Sequence, residues 1–187
     1  MKTVTVTIKG VTPYSPSQPS GRVKAKDVSH DDFEKLVWRD RAHVNSDGIV
    51  FIPGVSFKLA LDEAVKTMNE KIVSKGNQTF SKVFGSGVTA MTDMVLGVKK
   101  ADLQSITIYA NLDGVRGGSK RGNRIYPIIP VWGGTVQFCI FNEAISEKDF
   151  ERFFKAAGMI SGVGRGRPAK SCPAGNGRFI PEKFVWS

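Results

Sequence analysis

The strongest helical pattern in the chain lies in residues 51–73, FIPGVSFKLALDEAVKTMNEKIV. Its apolar side chains recur at the spacing of one helix face, which predicts an amphipathic helix over residues 57–73. The residues of this stripe are Phe57, Leu61, Ala64, Val65, Met68 and Ile72. Ser56 precedes the stripe and is a residue type that caps helix N-termini. The apolar run at residues 49–52 predicts a short buried strand that ends at Pro53 and Gly54.

Two other segments have a clear period. Residues 2–9, KTVTVTIK, alternate apolar and polar side chains, as a half-buried strand does. Residues 146–149, SEKD, form a capping box that opens a second amphipathic helix. The apolar side of that helix consists of Phe150, Phe153, Phe154 and Ala157.

The remaining strands are predicted from short apolar runs. Residues 125–132 and 135–141 flank a Gly-Gly pair, which favours a hairpin, and two prolines restrict the first of these strands to a sheet edge or a bulged position. Residues 179–186 can add a final strand, whereas residues 74–93 are rich in Gly, Ser and Thr and are expected to be irregular. The resulting order is β-α-β-β-α-β. It predicts an α+β protein with one ferredoxin-like (RRM-like) domain over residues 1–187 and long basic loops outside its core.

The charge balance favours an anionic partner. Lys and Arg number 27 against 17 Asp and Glu, which gives a net charge of +10. Two Gly-rich segments, residues 113–124 and 161–177, concentrate part of this excess. Such a distribution is typical of nucleic-acid-binding proteins.

The sequence does not indicate a metal site or a disulfide framework. Cys139 lies in an apolar run, Cys172 lies in a Gly-rich loop, and only His30 and His43 could join them as metal ligands. These residues lack the spacing of a zinc site, so we expect neither a metal nor another cofactor. No apolar stretch reaches transmembrane length, and we expect a soluble, cytoplasmic protein.

Two segments resemble motifs of the CRISPR-associated RAMP superfamily. Residues 51–61, FIPGVSFKLAL, resemble the run IPGSSLKGALR, in which a strand ends at Pro-Gly and a Ser-capped helix carries a Lys in its first turn. Residues 160–168, ISGVGRGRP, and residues 175–179, GNGRF, resemble the glycine-rich loop before the last strand of those proteins. Both segments fall at the corresponding places in the predicted fold.

Within that superfamily, the single-domain size and basic insertions are most similar to the repeating backbone subunit of CRISPR effector complexes. The resemblance implies a protein of antiviral defence that binds single-stranded guide RNA. It also implies self-association along that strand, as a filament or multi-subunit ribonucleoprotein, together with other CRISPR effector subunits.

We expect RNA contacts in four regions. A helix N-terminus near Ser56 offers free N–H groups, and the glycines of residues 161–177 allow a phosphate chain to approach the backbone. Basic residues upstream of the Pro-Gly motif and in the two basic loops supply charge, and such phosphate contacts are independent of sequence. The candidates are Arg39, Arg41, His43, Ser56, Lys58, Arg116, Lys120, Arg121, Arg124, Gly162, Gly164, Arg165, Arg167, Lys170 and Arg178.

Two alternatives stay open beside this non-enzymatic interpretation. A metal-independent RNA endonuclease of the RAMP type would need a general acid or base, for which His43 and Asp40 are the candidates. A phage-encoded mimic of the backbone subunit would instead bind effector proteins and inhibit CRISPR assembly. The basic loops favour RNA binding, because a mimic that binds only protein has no need of them.

Overall fold

The computed structural model describes residues 1–16, 18–73, 76–112, 120–170 and 174–187. Strands and helices alternate irregularly along the chain. Their bounds are β1 Lys2–Gly10, α1 His30–Val37, β2 Ile49–Ile52, α2 Gly54–Met68, α3 Phe80–Gly87, β3 Val88–Ala90, β4 Met94–Lys99, β5 Gln104–Asn111, β6 Arg121–Ile128, β7 Gly133–Ile140, α4 Glu147–Ala156 and β8 Phe179–Trp186.

The largest sheet has four strands in the order β3-β7-β1-β8, and every neighbouring pair is antiparallel. The alternation of β1 explains its place inside this sheet, since Val4, Val6 and Ile8 are all buried on one face. The strands predicted at residues 2–9 and 179–186 are confirmed.

Helices α2 and α4 contribute buried phenylalanines to the core against this sheet. Phe150 and Phe154 of α4 lie with ring centroids 5.5 and 5.2 Å from that of Phe138 in β7. Phe57 of α2 lies 5.4 Å from Phe179 of β8. Each ring is fully buried, and burial of one such side chain stabilises the fold by about 1.5–3 kcal/mol.

The predicted helix over residues 57–73 is present with different ends. α2 begins at Gly54, so Ser56 lies inside its first turn and is not the N-cap residue, which is Pro53. The side chain of Asp93 accepts a hydrogen bond of 2.8 Å from the Gly54 N–H and caps the helix from another segment. At the other end Asn69 adopts a left-handed conformation with φ of 48°, which stops the helix before Ile72.

The capping box at residues 146–149 is confirmed. The Ser146 hydroxyl accepts a hydrogen bond from the Asp149 N–H at 3.1 Å, and α4 follows. After α4, the chain passes through one wide helical turn over Ala157–Ser161. A side chain at Gly158 would overlap the Phe179 carbonyl oxygen, so this glycine permits close contact between the turn and β8.

Residues 74–93 are not irregular throughout, contrary to the sequence-based expectation. α3 buries Phe80, Val83, Phe84 and Gly87, which is a helical spacing of three, four and seven residues. The three residues of β3 then form one edge of the four-stranded sheet. Because Gly and Ser are abundant in this segment, its sequence indicated irregular structure and not this short amphipathic helix.

The predicted hairpin around Gly133 and Gly134 is wrong. β7 is bonded to β1 along its whole length and to β3 over residues 138–140, and β6 is not one of its partners. β6 pairs instead with β5, in a register that runs from Gln104 opposite Ile128 to Asn111 opposite Arg121. An added side chain at Gly133 would lie 2.7 Å from the Ile8 carbonyl oxygen, so this glycine serves close packing against β1.

β5 and β6 form a separate two-stranded sheet, which agrees with the edge position that the prolines predicted for β6. β2 and β4 form another, and the strand predicted at residues 49–52 is confirmed. The protein therefore belongs to the α+β class with antiparallel sheets. In the part of the chain that the structure describes, no helix is both long and apolar enough to cross a membrane.

Candidate nucleic-acid interface

Three arginines from separate parts of the chain converge on the ring of Tyr126 in β6. The guanidinium carbon of Arg165 lies 3.5 Å from the ring centroid, that of Arg41 at 4.6 Å and that of Arg124 at 5.7 Å. The Tyr126 side chain is buried. Contacts between a guanidinium and an aromatic face contribute about 0.5–2 kcal/mol and hold the cation in one orientation.

A buried carboxylate fixes this arrangement. Glu34 of α1 accepts two hydrogen bonds of 2.8 Å from Arg41 and one of 2.8 Å from the Ile125 N–H. Arg41 also donates to the Ile125 carbonyl oxygen, and Arg124 Nε lies 3.8 Å from Glu34. Burial by itself would raise the pKa of Glu34, but the hydrogen bonds from Arg41 and Ile125 and the charges of Arg41 and Arg124 together lower it. Glu34 therefore stays ionised and locks β6 to α1.

A cleft of about 470 Å³ opens beside these residues, and we call it the Tyr126 cleft. The described residues that line it include five cations and one carboxylate, that of Glu34, and the imidazole of His30 also lies in the lining. The cations are Arg22, Lys24, Arg41, Arg124 and Arg165. Because a concave surface with an excess of positive charge concentrates anions, this cleft is suited to attract an anionic ligand.

The position of Arg165 depends on a left-handed glycine. Gly164 has a φ of 79°, and a side chain there would lie 2.5 Å from the Tyr14 ring and 2.6 Å from the Ser15 carbonyl oxygen. The Arg165 N–H donates to that same Ser15 oxygen at 2.7 Å. The loop can therefore approach residues 14–15 closely and direct Arg165 over Tyr126.

The charge of Arg165 is uncompensated within the described part of the chain. Its guanidinium contacts the Tyr126 ring but has no hydrogen-bond or ion-pair partner there. Arg41 and Arg167 differ in this respect, since Arg41 binds Glu34 and Arg167 forms an ion pair of 2.6 Å with Glu63. Arg165 thus has all its N–H donors available for a ligand.

A second cleft of about 500 Å³, the His43 cleft, shares Gln18, Ser20 and Arg22 with the first. Here Asp40 binds Arg22 at 2.7 Å and Lys100 at 2.6 Å. The His43 ring lies 5.6 Å from that of Phe51. Burial lowers the pKa of His43, and the negative charge of Asp93 only partly opposes this effect. The imidazole is therefore neutral at pH 7.

The two residues predicted to bind phosphate at the start of α2, Ser56 and Lys58, lie outside the Tyr126 cleft. Both make contacts within the protein. Lys58 is 9% exposed, contacts the Asp62 carboxylate, and lies 3.4 Å from the Gly85 carbonyl oxygen. The Ser56 N–H donates to the Pro53 carbonyl oxygen at 2.9 Å. Since Asp93 already caps the helix, this end of α2 is not an open anion site.

The glycines of residues 161–177 mainly serve contacts within the protein. Gly162 and Gly164 have positive φ, and side chains there would meet Pro168 and Tyr14 at 2.9 and 2.5 Å. A side chain at Gly177 would overlap the carbonyl oxygen of Val163. These glycines allow segments of this chain to approach one another closely, and the approach of a phosphate chain to them stays a prediction.

The other candidates lie apart from the Tyr126 cleft. Arg39 stacks on Trp38 at 4.1 Å, Arg178 donates to the Met159 carbonyl oxygen at 3.2 Å, and Arg121 lies 5.1 Å from the Tyr109 ring. Lys120 is exposed beside Arg121. Three further positions lie outside the described residues or side chains: Arg116, the side chain of Lys170, and Cys172.

Sequence reasoning missed four residues that build the cleft, namely Glu34, Tyr126, Arg22 and Lys24. Glu34 lies seven residues before Arg41, a spacing of two helical turns, and this was the only local signal for that pair. Tyr126 lies in the apolar run at residues 125–132, which predicted a strand but did not indicate a binding site. Among the described residues, no cluster of three or more His, Cys, Asp or Glu could hold a metal ion.

The fold is shared with solved structures of Cmr proteins. A chain of the cryo-EM structure of the type III-B Cmr-beta bound to cognate target RNA matches 99% of this chain with a TM-score of 0.61 and 16% identity. Cmr6 from Pyrococcus furiosus matches 97% of this chain, and 99% of its own length, with a TM-score of 0.51 and 13% identity. This chain spans 60% of the length of the Cmr-beta chain.

No protein-family model and no curated protein matches this chain in sequence. At identities of 13–16%, the likeness to the two structures concerns the fold. This shared fold agrees with the resemblance to CRISPR-associated RAMP proteins that the two sequence motifs indicated.

Proposed function

We propose that this chain is a RAMP-type, RNA-binding subunit of a CRISPR ribonucleoprotein and that it holds single-stranded RNA by its phosphates in the Tyr126 cleft. One observation carries the proposal: Arg41, Arg124 and Arg165 converge on one tyrosine, and the guanidinium of Arg165 has no hydrogen-bond or ion-pair partner among the described residues. Phosphate contacts of this kind are independent of base sequence, so the site suits a guide RNA of any sequence.

The fold supports the same proposal. The order β3-β7-β1-β8, with β1 and β3 both antiparallel to β7, is that of a split β-α-β unit, and α2 lies between β1 and β3 in the chain. We assign these strands, with α2 and α4, to a ferredoxin-like core that forms one domain. The small sheets and the basic loops are insertions around this core.

Self-association along the guide strand and contacts to other effector subunits complete the proposal. In this arrangement the protein is cytoplasmic and binds RNA without cutting it. The candidates Arg39, Lys120 and Arg121 are exposed and lie outside the Tyr126 cleft, where they can extend the track of a longer strand.

The geometry favours binding over cleavage. Asp40 and His43 do line one cleft, as an endonuclease would need. Asp40, however, is held between Arg22 and Lys100, and its side chain is only 15% exposed. One carboxylate oxygen of Asp40 contacts Arg22 and the other contacts Lys100, which leaves neither oxygen free to approach a substrate hydroxyl.

The direct test is binding of nuclease-treated protein to labelled single-stranded RNA long enough for several subunits. We expect cooperative binding that weakens steeply with salt, complexes of regular size on sizing, and intact RNA after incubation. Cleavage that Asp40→Ala or His43→Ala abolishes would establish the endonuclease instead. A folded monomer that does not bind RNA at physiological salt would favour a protein that interferes with CRISPR assembly.

A further inference from the structure

We propose that the Tyr126 cleft receives one whole nucleotide of the bound RNA, with its phosphate at Arg165 and Arg124 and its base against Phe33 and Leu112. This inference rests on the proposed function and extends it from a charged surface to a nucleotide-binding pocket. It assigns a base contact as well as a phosphate contact.

The size of the cleft favours a nucleotide over a phosphate group alone. Its volume of about 470 Å³ lies within the range of about 300–1,000 Å³ that is typical of pockets for small organic ligands. A flat basic patch would be sufficient to neutralise the phosphates of an RNA backbone, and it would need no cavity of this size. The described residues thus provide space for a sugar and a base next to the charges.

Two arginines are available for the phosphate. The guanidinium of Arg165 has no hydrogen-bond or ion-pair partner in the described part of the chain, and its stacking on Tyr126 orients the planar donor group without neutralising it. The buried Nε of Arg124 has no hydrogen-bond partner among the described residues, although it lies 3.8 Å from Glu34. Arg41 differs, since its guanidinium is committed to Glu34 and to Ile125, and it acts as a positioning residue.

The rest of the lining suits a base. Phe33 and Leu112 both line the cleft and are half-buried apolar side chains. Gln18 and Ser20 lie in the same lining and offer hydrogen-bonding groups for base edges. A cleft that selected only inorganic anions would have no use for these apolar side chains.

The test uses the full chain and a nucleoside 5′-monophosphate as the probe, with binding followed by calorimetry or NMR. The affinities for inorganic phosphate and for the free nucleoside, which are the two halves of that probe, are measured separately for comparison. We expect the nucleotide to bind at least about tenfold more tightly than either half, a factor that corresponds to 1.4 kcal/mol. Arg165→Gln should lower affinity for nucleotide and phosphate alike, whereas Leu112→Ala should lower affinity for the nucleotide alone.

Arg167→Gln is the matched control, because Arg167 lies in the same loop but is paired with Glu63. It should leave nucleotide affinity unchanged. Equal affinity for nucleotide and phosphate, or equal effects of Arg165→Gln and Arg167→Gln, would overturn the inference. If single-stranded RNA still binds in that case, the proposed function survives without the pocket; if RNA fails to bind as well, both fail.

Discussion

The guanidinium of Arg41 donates two hydrogen bonds of 2.8 Å to the carboxylate of Glu34, and both side chains are buried. The same carboxylate accepts the Ile125 N–H, one residue before Tyr126. Glu34 therefore connects the end of α1, the following turn and β6 through one charged group. The Tyr126 cleft depends on this connection, because it sets where Tyr126 lies relative to the arginines.

Glu34→Gln should destabilise the protein strongly. The amide cannot balance the buried charge of Arg41, and removal of one partner of a buried ion pair typically costs about 3–5 kcal/mol. Chemical denaturation at pH 7 measures this loss. Glu63→Gln is the control, since it breaks an ion pair with Arg167 whose side chains are 31% and 19% exposed, and should cost about 1 kcal/mol or less. Equal losses in the two variants would show that Glu34 is not the organising residue.

Arg165→Gln should change the affinity for RNA, whereas Lys58→Gln should change the stability of the folded protein. Arg165→Gln should weaken binding of single-stranded RNA and lower the slope of log affinity against log salt by about 0.7, the value for one phosphate contact. Lys58→Gln should leave both quantities unchanged but reduce the free energy of unfolding by about 1–3 kcal/mol, because Lys58 is paired with Asp62 inside the protein. A loss of RNA affinity in folded Lys58→Gln would restore the phosphate site predicted at the start of α2.

Local patterns in the sequence were sufficient for the main elements of the core. The alternation in β1, the apolar stripe of α2 and the capping box of α4 each describe interactions within a few residues. The partner of β6 could not be predicted in this way. β6 pairs with β5, from which residues 112–120 separate it, and no pattern within a few residues specifies that pairing.

The candidate site shows the same limit. Arg41, Arg124 and Arg165 were each selected for charge, but their spacing in sequence gave no sign that they meet at Tyr126. Lys58 was selected by a motif, and the structure instead pairs it with Asp62. Composition can indicate which side chains are cationic, whereas the fold decides which of them lack a carboxylate partner.

Gly177→Ala should be far more destabilising than Gly166→Ala. Both glycines have similar positive φ values, of 72° and 73°, so the backbone penalty of about 1–2 kcal/mol is shared. At Gly177 the new methyl group would also overlap the Val163 carbonyl oxygen, whereas at Gly166 its nearest neighbour is the Asn176 side chain at 3.1 Å. Thermal unfolding should show the difference, at about 2–4 °C for each kcal/mol. Similar melting temperatures would mean that the contact between residues 163 and 177 is not rigid.

The stability of the protein should fall as the pH drops below about 6.5, the ordinary pKa of histidine. Burial lowers the pKa of His43 in the folded state, so in this range the unfolded chain binds a proton that the folded chain does not. The contribution is fully present above pH 6.5 and is lost as the pH falls towards the lowered pKa of the folded state. Melting temperatures measured between pH 8 and pH 5 should show this decline, and His43→Gln should make it shallower. His30→Gln is the control and should keep the decline, because His43 is still present; an unchanged profile in His43→Gln would assign the effect to other groups.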